Sequence, residues 1–164
     1  DMFYNLYILA DKTNINYLES NTIQMDDLKT YAEAISSIQV IDNVCFAYTG
    51  ENCSKSLIAA ISDFTLKISG VNFSVVYSVR DEGIRLSVRS AVKELHSAEI
   101  IIEALDKIGT GGGHHSMAGG FVPMNRENGM TEEMVVNTMV YRILEIIRAI
   151  EDKTQKKLPC GSLK

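Results

Sequence analysis

The chain has little of what staples or anchors a small protein. It has three cysteines in 164 residues, Cys45, Cys53 and Cys160. None forms a CxxC pair, so neither a disulfide framework nor a zinc knuckle is indicated. An odd count without a signal peptide points to a reducing compartment, the cytoplasm. Positive charge is also scarce: 16 Lys and Arg stand against 21 Asp and Glu, a net charge of -5. Affinity for long nucleic acid comes mainly from many cationic contacts to phosphate, so this is a poor general binder of long nucleic acid. A local basic pocket for a few phosphates is not excluded. No apolar run approaches the roughly 20 residues that cross a bilayer. The start, DMFYNLYILADK, lacks the basic region of a secretion signal, so no membrane partner is expected. Low-complexity segments and internal repeats are absent too.

What is present suits one domain with a sizeable core. The first Met is residue 2, after Asp1, which reads as a piece cut from a longer protein or as tag processing. Phe3, Leu6, Tyr7 and Ala10 suit one face of a short helix. From Asp26, the residues Leu28, Tyr31, Ala32 and Ile35 form a helical stripe that Ser36-Ser37 ends. Ile38 to Ile41 and Val44 to Thr49 read as strands joined by Asp42-Asn43, two residues that tolerate positive φ. Ser54 is the expected N-cap of a helix with the stripe Leu57, Ile58, Ile61, Phe64, Thr65 and Ile68, stopped by Gly70.

The alternation in VNFSVVYSV and IRLSVRS predicts a hairpin closed by Asp81-Glu82-Gly83. Phe73, Val75, Tyr77 and Val79 share one face of the first strand. On the second, Ile84, Leu86 and Val88 point one way and Arg85, Ser87 and Arg89 the other. HSAEIIIEALDKIG predicts a helix with Ser97 as N-cap, Gly109 at its end and Ile101, Ala104, Leu105 and Ile108 facing inward. The run Ile100 to Ile102 and the methionines read as core. A short strand, Gly119 to Pro123, precedes a long helix from near Thr131, with Val135, Met139, Ile143, Ile146, Ile147 and Ile150 on one face. Lys153, Lys156 and Lys157 suit its C-terminal end. The fold class is therefore α/β: a mixed β-sheet with helices packed on it, one compact domain and a long C-terminal helix. The expected division is a helical linker or extension over 1–37, the domain over 38–153 and a flexible tail over 154–164.

Residues 109 to 120, GTGGGHHSMAGG, concentrate six of the eleven glycines. A flexible connection is one reading, but a single glycine at 109 already ends the helix. No GxGxxG or P-loop lysine is present, so neither standard nucleotide loop applies. The third reading is an anion pocket, in which Gly111, Gly112 and Gly113 let main-chain amides converge on phosphate oxygens. His114 or His115 would add a hydrogen bond or a charge. Adjacent histidines rarely point the same way, and no ligand stands at metal spacing, so a metal site is the weaker reading. In SVRS, Ser87 to Ser90, Arg89 alone reads as a solvated side chain. Beside a glycine-histidine loop, its planar fork suits phosphate.

The order of these pieces resembles the DHH phosphoesterases, a family of RecJ-like nucleases, oligoribonucleases and cyclic-di-AMP phosphodiesterases. Their smaller C-terminal DHH-associated domain carries a GGGHxxAAG motif. Here GGGHHSMAG, Gly111 to Gly119, matches it with Met117 in place of alanine. SVRS is similar to the family's serine-arginine strand, and SDFTLKISGV, Ser62 to Val71, to its helix-to-strand entry. The likeness covers roughly residues 38 to 123. It implies a two-metal site, usually manganese, in a separate N-terminal catalytic domain, with no cofactor on this chain. It also implies that His114 and the glycine amides contact one substrate phosphate and Arg89 another, with Ser87, Ser90 and His115 nearby. Met117 bears on the width of that pocket. The chain itself has no Asp-His-His stretch, and Asp63, Asp81, Asp106 and His96 are scattered. The expected partners are the N-terminal domain of the same protein and a short oligonucleotide, pAp or a cyclic dinucleotide, with a homodimer as one assembly. The runner-up is a non-catalytic module facing tRNA or other RNA, similar to the glycine-rich C-terminal domain of alanyl-tRNA synthetases; the acidic charge weighs against it. A pure mononucleotide sensor is the third reading.

Overall fold

The structure, a computed structural model, describes residues 23–124 and 131–157. The expectations for the first 22 residues and for Cys160 in the tail lie outside them.

The chain runs α1 (Asp27–Ser37), β1 (Gln39–Ile41), β2 (Val44–Glu51), α2 (Lys55–Thr65), β3 (Phe73–Arg80), β4 (Gly83–Ser90), α3 (Ser97–Ala104), β5 (Thr110–Gly113), β6 (Met117–Pro123) and α4 (Glu132–Lys157). The six strands form one sheet in the order β1-β2-β3-β4-β6-β5. Among the described residues only β2 and β3 pair in parallel, joined by the crossover through α2. The remaining pairs are antiparallel, which gives the mixed α/β sheet the pattern predicts.

Local chemistry accounts for the turns. Asp42 and Asn43 take φ of 48° and 64°, the doubly positive geometry of a tight hairpin, and set Ile41 against Val44. The Ser54 hydroxyl accepts the Leu57 amide at 3.2 Å and caps α2. Two expectations fail at α3. Its cap is His96, whose Nδ1 accepts from the Glu99 amide at 3.4 Å, while Ser97 is buried inside the first turn. At the other end Lys107, with φ 66°, makes the reversal assigned to Gly109.

Helices cover both faces of the central strands. On one face Phe73, Val75, Ile84, Leu86 and Val88 meet Ile100 and Ile101 of α3, Leu105 at its C-cap, and Val135, Met139, Ile143 and Ile147 of α4. Each of these larger side chains contributes about 1.5–3 kcal/mol on burial. A smaller cluster of Ala34, Ala47, Cys53, Ile58, Ile61 and Val76 seats α1 and α2 on the other face. The α1 stripe is rotated from the predicted one. Ala34 is its buried residue, whereas Leu28 and Ile35 are about half exposed. A small alanine lets the helix approach β2, and the Ser37 hydroxyl accepts the Tyr48 amide at 2.8 Å. Ile102 is also exposed, because three successive helical residues cannot all face inward. Met117, Met134 and Met25 likewise lie outside the core, and Met139 within it.

Candidate functional site

The glycine segment is a β-hairpin rather than a loop. β5 and β6 pair from Thr110 against Phe121 to Gly113 against Ala118, with the turn at His114, His115 and Ser116. The second strand begins at Met117, two residues before the predicted start. Gly109, Gly111 and Gly113 leave no room for a Cβ, and Gly120 has leucine side-chain ends against it. A Cβ on Gly111 would lie 2.5 Å from Ile101 Cγ2, and one on Gly120 would lie 2.6 Å from Leu105 Cδ1. Bare backbone here lets α3 rest directly on the hairpin. A Cβ on Gly109 would meet the Phe121 carbonyl at 2.4 Å, so that glycine serves a close approach. Gly112 differs: nothing lies within 4 Å of its Cβ position.

Register explains the difference. Arg89 pairs with Met117, Ser87 with Gly119 and Arg85 with Phe121, and Gly119 pairs in turn with Gly112. Direct partners share a face. Arg85, Ser87 and Arg89 therefore stand on one side of the sheet, above a floor of Gly112 and Gly119. Ser90 falls on the opposite side, buried, with its hydroxyl donating to the Val92 carbonyl at 3.0 Å. Gly111 and Gly113 also present their Cα to the opposite, α3-covered face. Their amides remain relevant. The His114 amide bonds the Met117 carbonyl at 2.7 Å, and bonding alternates along an antiparallel pair. The Gly112 amide accordingly points to β6, and the Gly111 and Gly113 amides point out from the sheet edge that β5 forms. His114 follows the last residue of β5, on the turn of the hairpin.

α2 walls this open face. Between the helix and β4–β6 lies a cleft of about 270 Å³ lined by Lys55, Ile58, Arg85, Ser87 and Gly119. Further along, Arg89 Nε donates to Asp63 Oδ1 at 2.6 Å. Its Nη1 reaches the Ser87 hydroxyl at 3.3 Å and the Val88 carbonyl at 3.1 Å. The Arg89 side chain is only 14% exposed, so it is a held guanidinium, with Nη2 unpartnered among the described residues, rather than a solvated one. His114 is exposed and its ring has no hydrogen-bond partner among the described residues. His115 is tied down. Its Nε2 lies 2.6 Å from the Lys93 carbonyl, its ring meets His96 edge-on at 4.8 Å, and its carbonyl accepts the Ser97 amide at 2.8 Å.

Lys55 and Asp63 were missed in the sequence because they reach the face only through the α2 crossover. Arg85 was placed on the correct face by alternation but given no role. Among the described residues no three His, Cys, Asp or Glu side chains group as metal ligands, and no helix is long and apolar enough to cross a membrane. Cys45 and Cys53 are buried and free. Burial pushes the Cys45 thiol up to about 11 and raises that of Cys53 as well, so neither is a nucleophile near neutral pH.

Residues 41–138 match the DHHA1 domain family. An uncharacterized protein of Methanocaldococcus jannaschii is 26% identical over 149 residues, which cover 87% of this chain and 30% of that protein. An exopolyphosphatase-related protein from Bacteroides fragilis superposes with a TM-score of 0.63 at 20% identity, over 89% of this chain and 42% of its own. RecJ of Thermus thermophilus, crystallised with Mg2+, superposes with a TM-score of 0.48 at 15% identity, over 71% of this chain and 17% of its own. The chain spans less than half the length of each of these relatives.

Proposed function

This chain belongs to the DHHA1 domain family, and from that premise we propose that it is the substrate-binding domain of a metal-dependent phosphoesterase acting on short oligonucleotides or related phosphate esters. The observation that carries the reading is one sheet face: Arg89 and Ser87 stand over Gly112 and Gly119, next to the outward amides of Gly111 and Gly113, with His114 on the adjoining turn. Main-chain amides at a bare strand edge approach an anionic oxygen without steric obstruction. Arg89 arrives pre-oriented, since Asp63 and Ser87 fix its plane and leave Nη2 to meet a phosphate oxygen.

In this reading the residues of this chain bind and orient the ester and move no proton themselves. The described residues offer no metal-ligand group. The divalent metals implied by the family, with manganese the first candidate, would sit in a preceding domain and supply an activated water. In this reading His114, on the hairpin turn, donates to the phosphate that the metals do not hold.

The test is kinetic. In the complete protein, Arg89→Gln and His114→Ala are each expected to raise KM for a short oligoribonucleotide about tenfold or more, the scale of one lost charge-assisted hydrogen bond. Metal affinity should stay unchanged. Unaltered kinetics in both variants would remove the site assignment. The isolated chain is expected to show no turnover with manganese, and robust hydrolysis by it would overturn the division of labour.

A further inference from the structure

The cleft beside the glycine floor is electrostatically lopsided. α2 runs alongside β4, with Lys55 across from Arg85 in the cleft and Asp63 bonded to Arg89. The spacings agree: Lys55 and Asp63 are about 12 Å apart along a helix, and Arg85 and Arg89 about 13 Å apart along a strand. At the Arg89 end the guanidinium and a carboxylate nearly cancel. At the Arg85 end two cations face each other over Ser87 and Gly119, and neither has an ion-pair or hydrogen-bond partner among the described residues. The net positive charge of this face therefore lies away from the SVRS arginine that the sequence singles out.

The geometry points to a second anion subsite, formed by Lys55 and Arg85, that takes a further phosphate of a linear oligonucleotide whose first phosphate lies at Arg89 and His114. This rests on the reading of the glycine face as a phosphate site and extends it. Arg85 and Arg89 stand about 13 Å apart along β4, and the cleft at Arg85 is lined without Arg89, so the arrangement favours a chain of successive phosphodiesters over a mononucleotide. Ser87 and Gly119 lie between the two arginine positions, with Ile58 of α2 beside them. Two facing cations with no carboxylate between them repel each other, and an anion bound between them relieves that repulsion.

The experiment is an NMR titration of this chain, carried to millimolar ligand, with 5′-phosphorylated triadenylate and with AMP. It uses wild type, Arg85→Gln, Lys55→Gln and Arg89→Gln. Both new-site residues are at least partly exposed, and retention of the wild-type spectrum reports folding for each variant. The expected result is that Arg85→Gln weakens the trinucleotide about tenfold and leaves AMP unchanged. Lys55→Gln should do the same more weakly, and Arg89→Gln should weaken both ligands. If Arg85→Gln and Lys55→Gln bind the trinucleotide like wild type while Arg89→Gln does not, the second subsite is wrong and the first stands. If Arg85→Gln weakens AMP and trinucleotide equally, there is one site, not two. If wild type binds neither ligand, the reading of the glycine face fails with it.

Discussion

Gly111 and Gly112 are neighbours with opposite duties. At Gly111 a methyl would press on Ile101, and at Gly112 it would enter open space. Gly111→Ala should therefore destabilise the fold by about 1–3 kcal/mol through overpacking. Gly112→Ala should change stability little while weakening phosphate binding at the floor. Urea denaturation of the two variants checks the contrast, and equal losses would mean that both glycines serve packing. Asp63 is the second residue that decides something. Its carboxylate holds Arg89 but also offsets its charge. With the Asp63 carboxylate more than half exposed, the pair contributes on the surface scale of about 0.2–1 kcal/mol, so Asp63→Asn should tighten phosphate binding, by at most roughly fivefold on that scale. Weaker binding would show that orienting Arg89 outweighs neutralising it.

Among the elements, the hairpin β5–β6 was the hardest to read. Six glycines in twelve residues carry no alternation of apolar and polar side chains, the signal by which a strand is recognised. The segment therefore reads as a loop in the sequence. Strands β3 and β4 were legible because Phe73, Val75, Ile84, Leu86 and Val88 alternate against Ser74, Ser78, Ser87 and Arg89. That same alternation placed Arg89 on the face opposite the core. The α1 stripe misled because Leu28 and Ile35 are apolar and exposed, while the helix docks through Ala34, a residue too small to weigh in a pattern. The hairpin turn depends on His115, which joins it to Lys93 and to the start of α3. His115→Ala should speed hydrogen exchange at residues 112–118 while the α4 amides stay protected. Unchanged exchange there would show that the backbone contacts alone hold the turn.

At the scale of the whole molecule, an acidic chain presents a cationic face among its described residues. Lys55, Arg85 and Arg89 gather on a single face, while the net charge remains -5. A domain that grips a few phosphates in this way should lose affinity only shallowly with salt, with a log–log slope of about -1 to -2. A slope several times steeper would favour a module for long RNA. The tertiary crossover that brings Lys55 and Asp63 to this face has no local signature, which is why the sequence pointed to Arg89, the glycines and the histidines but not to the far wall or Arg85.

The central claim is that the bare hairpin face, with Arg89 and His114, is where a phosphate ester sits. Mapping AMP-induced amide shifts on uniformly labelled protein tests it most directly. The account predicts that the largest shifts fall on Gly111, Gly112, Gly113, His114, Gly119 and Arg89, and saturate together. Shifts confined to residues on the α3 and α4 side of the sheet, with the hairpin unmoved at saturation, would contradict it.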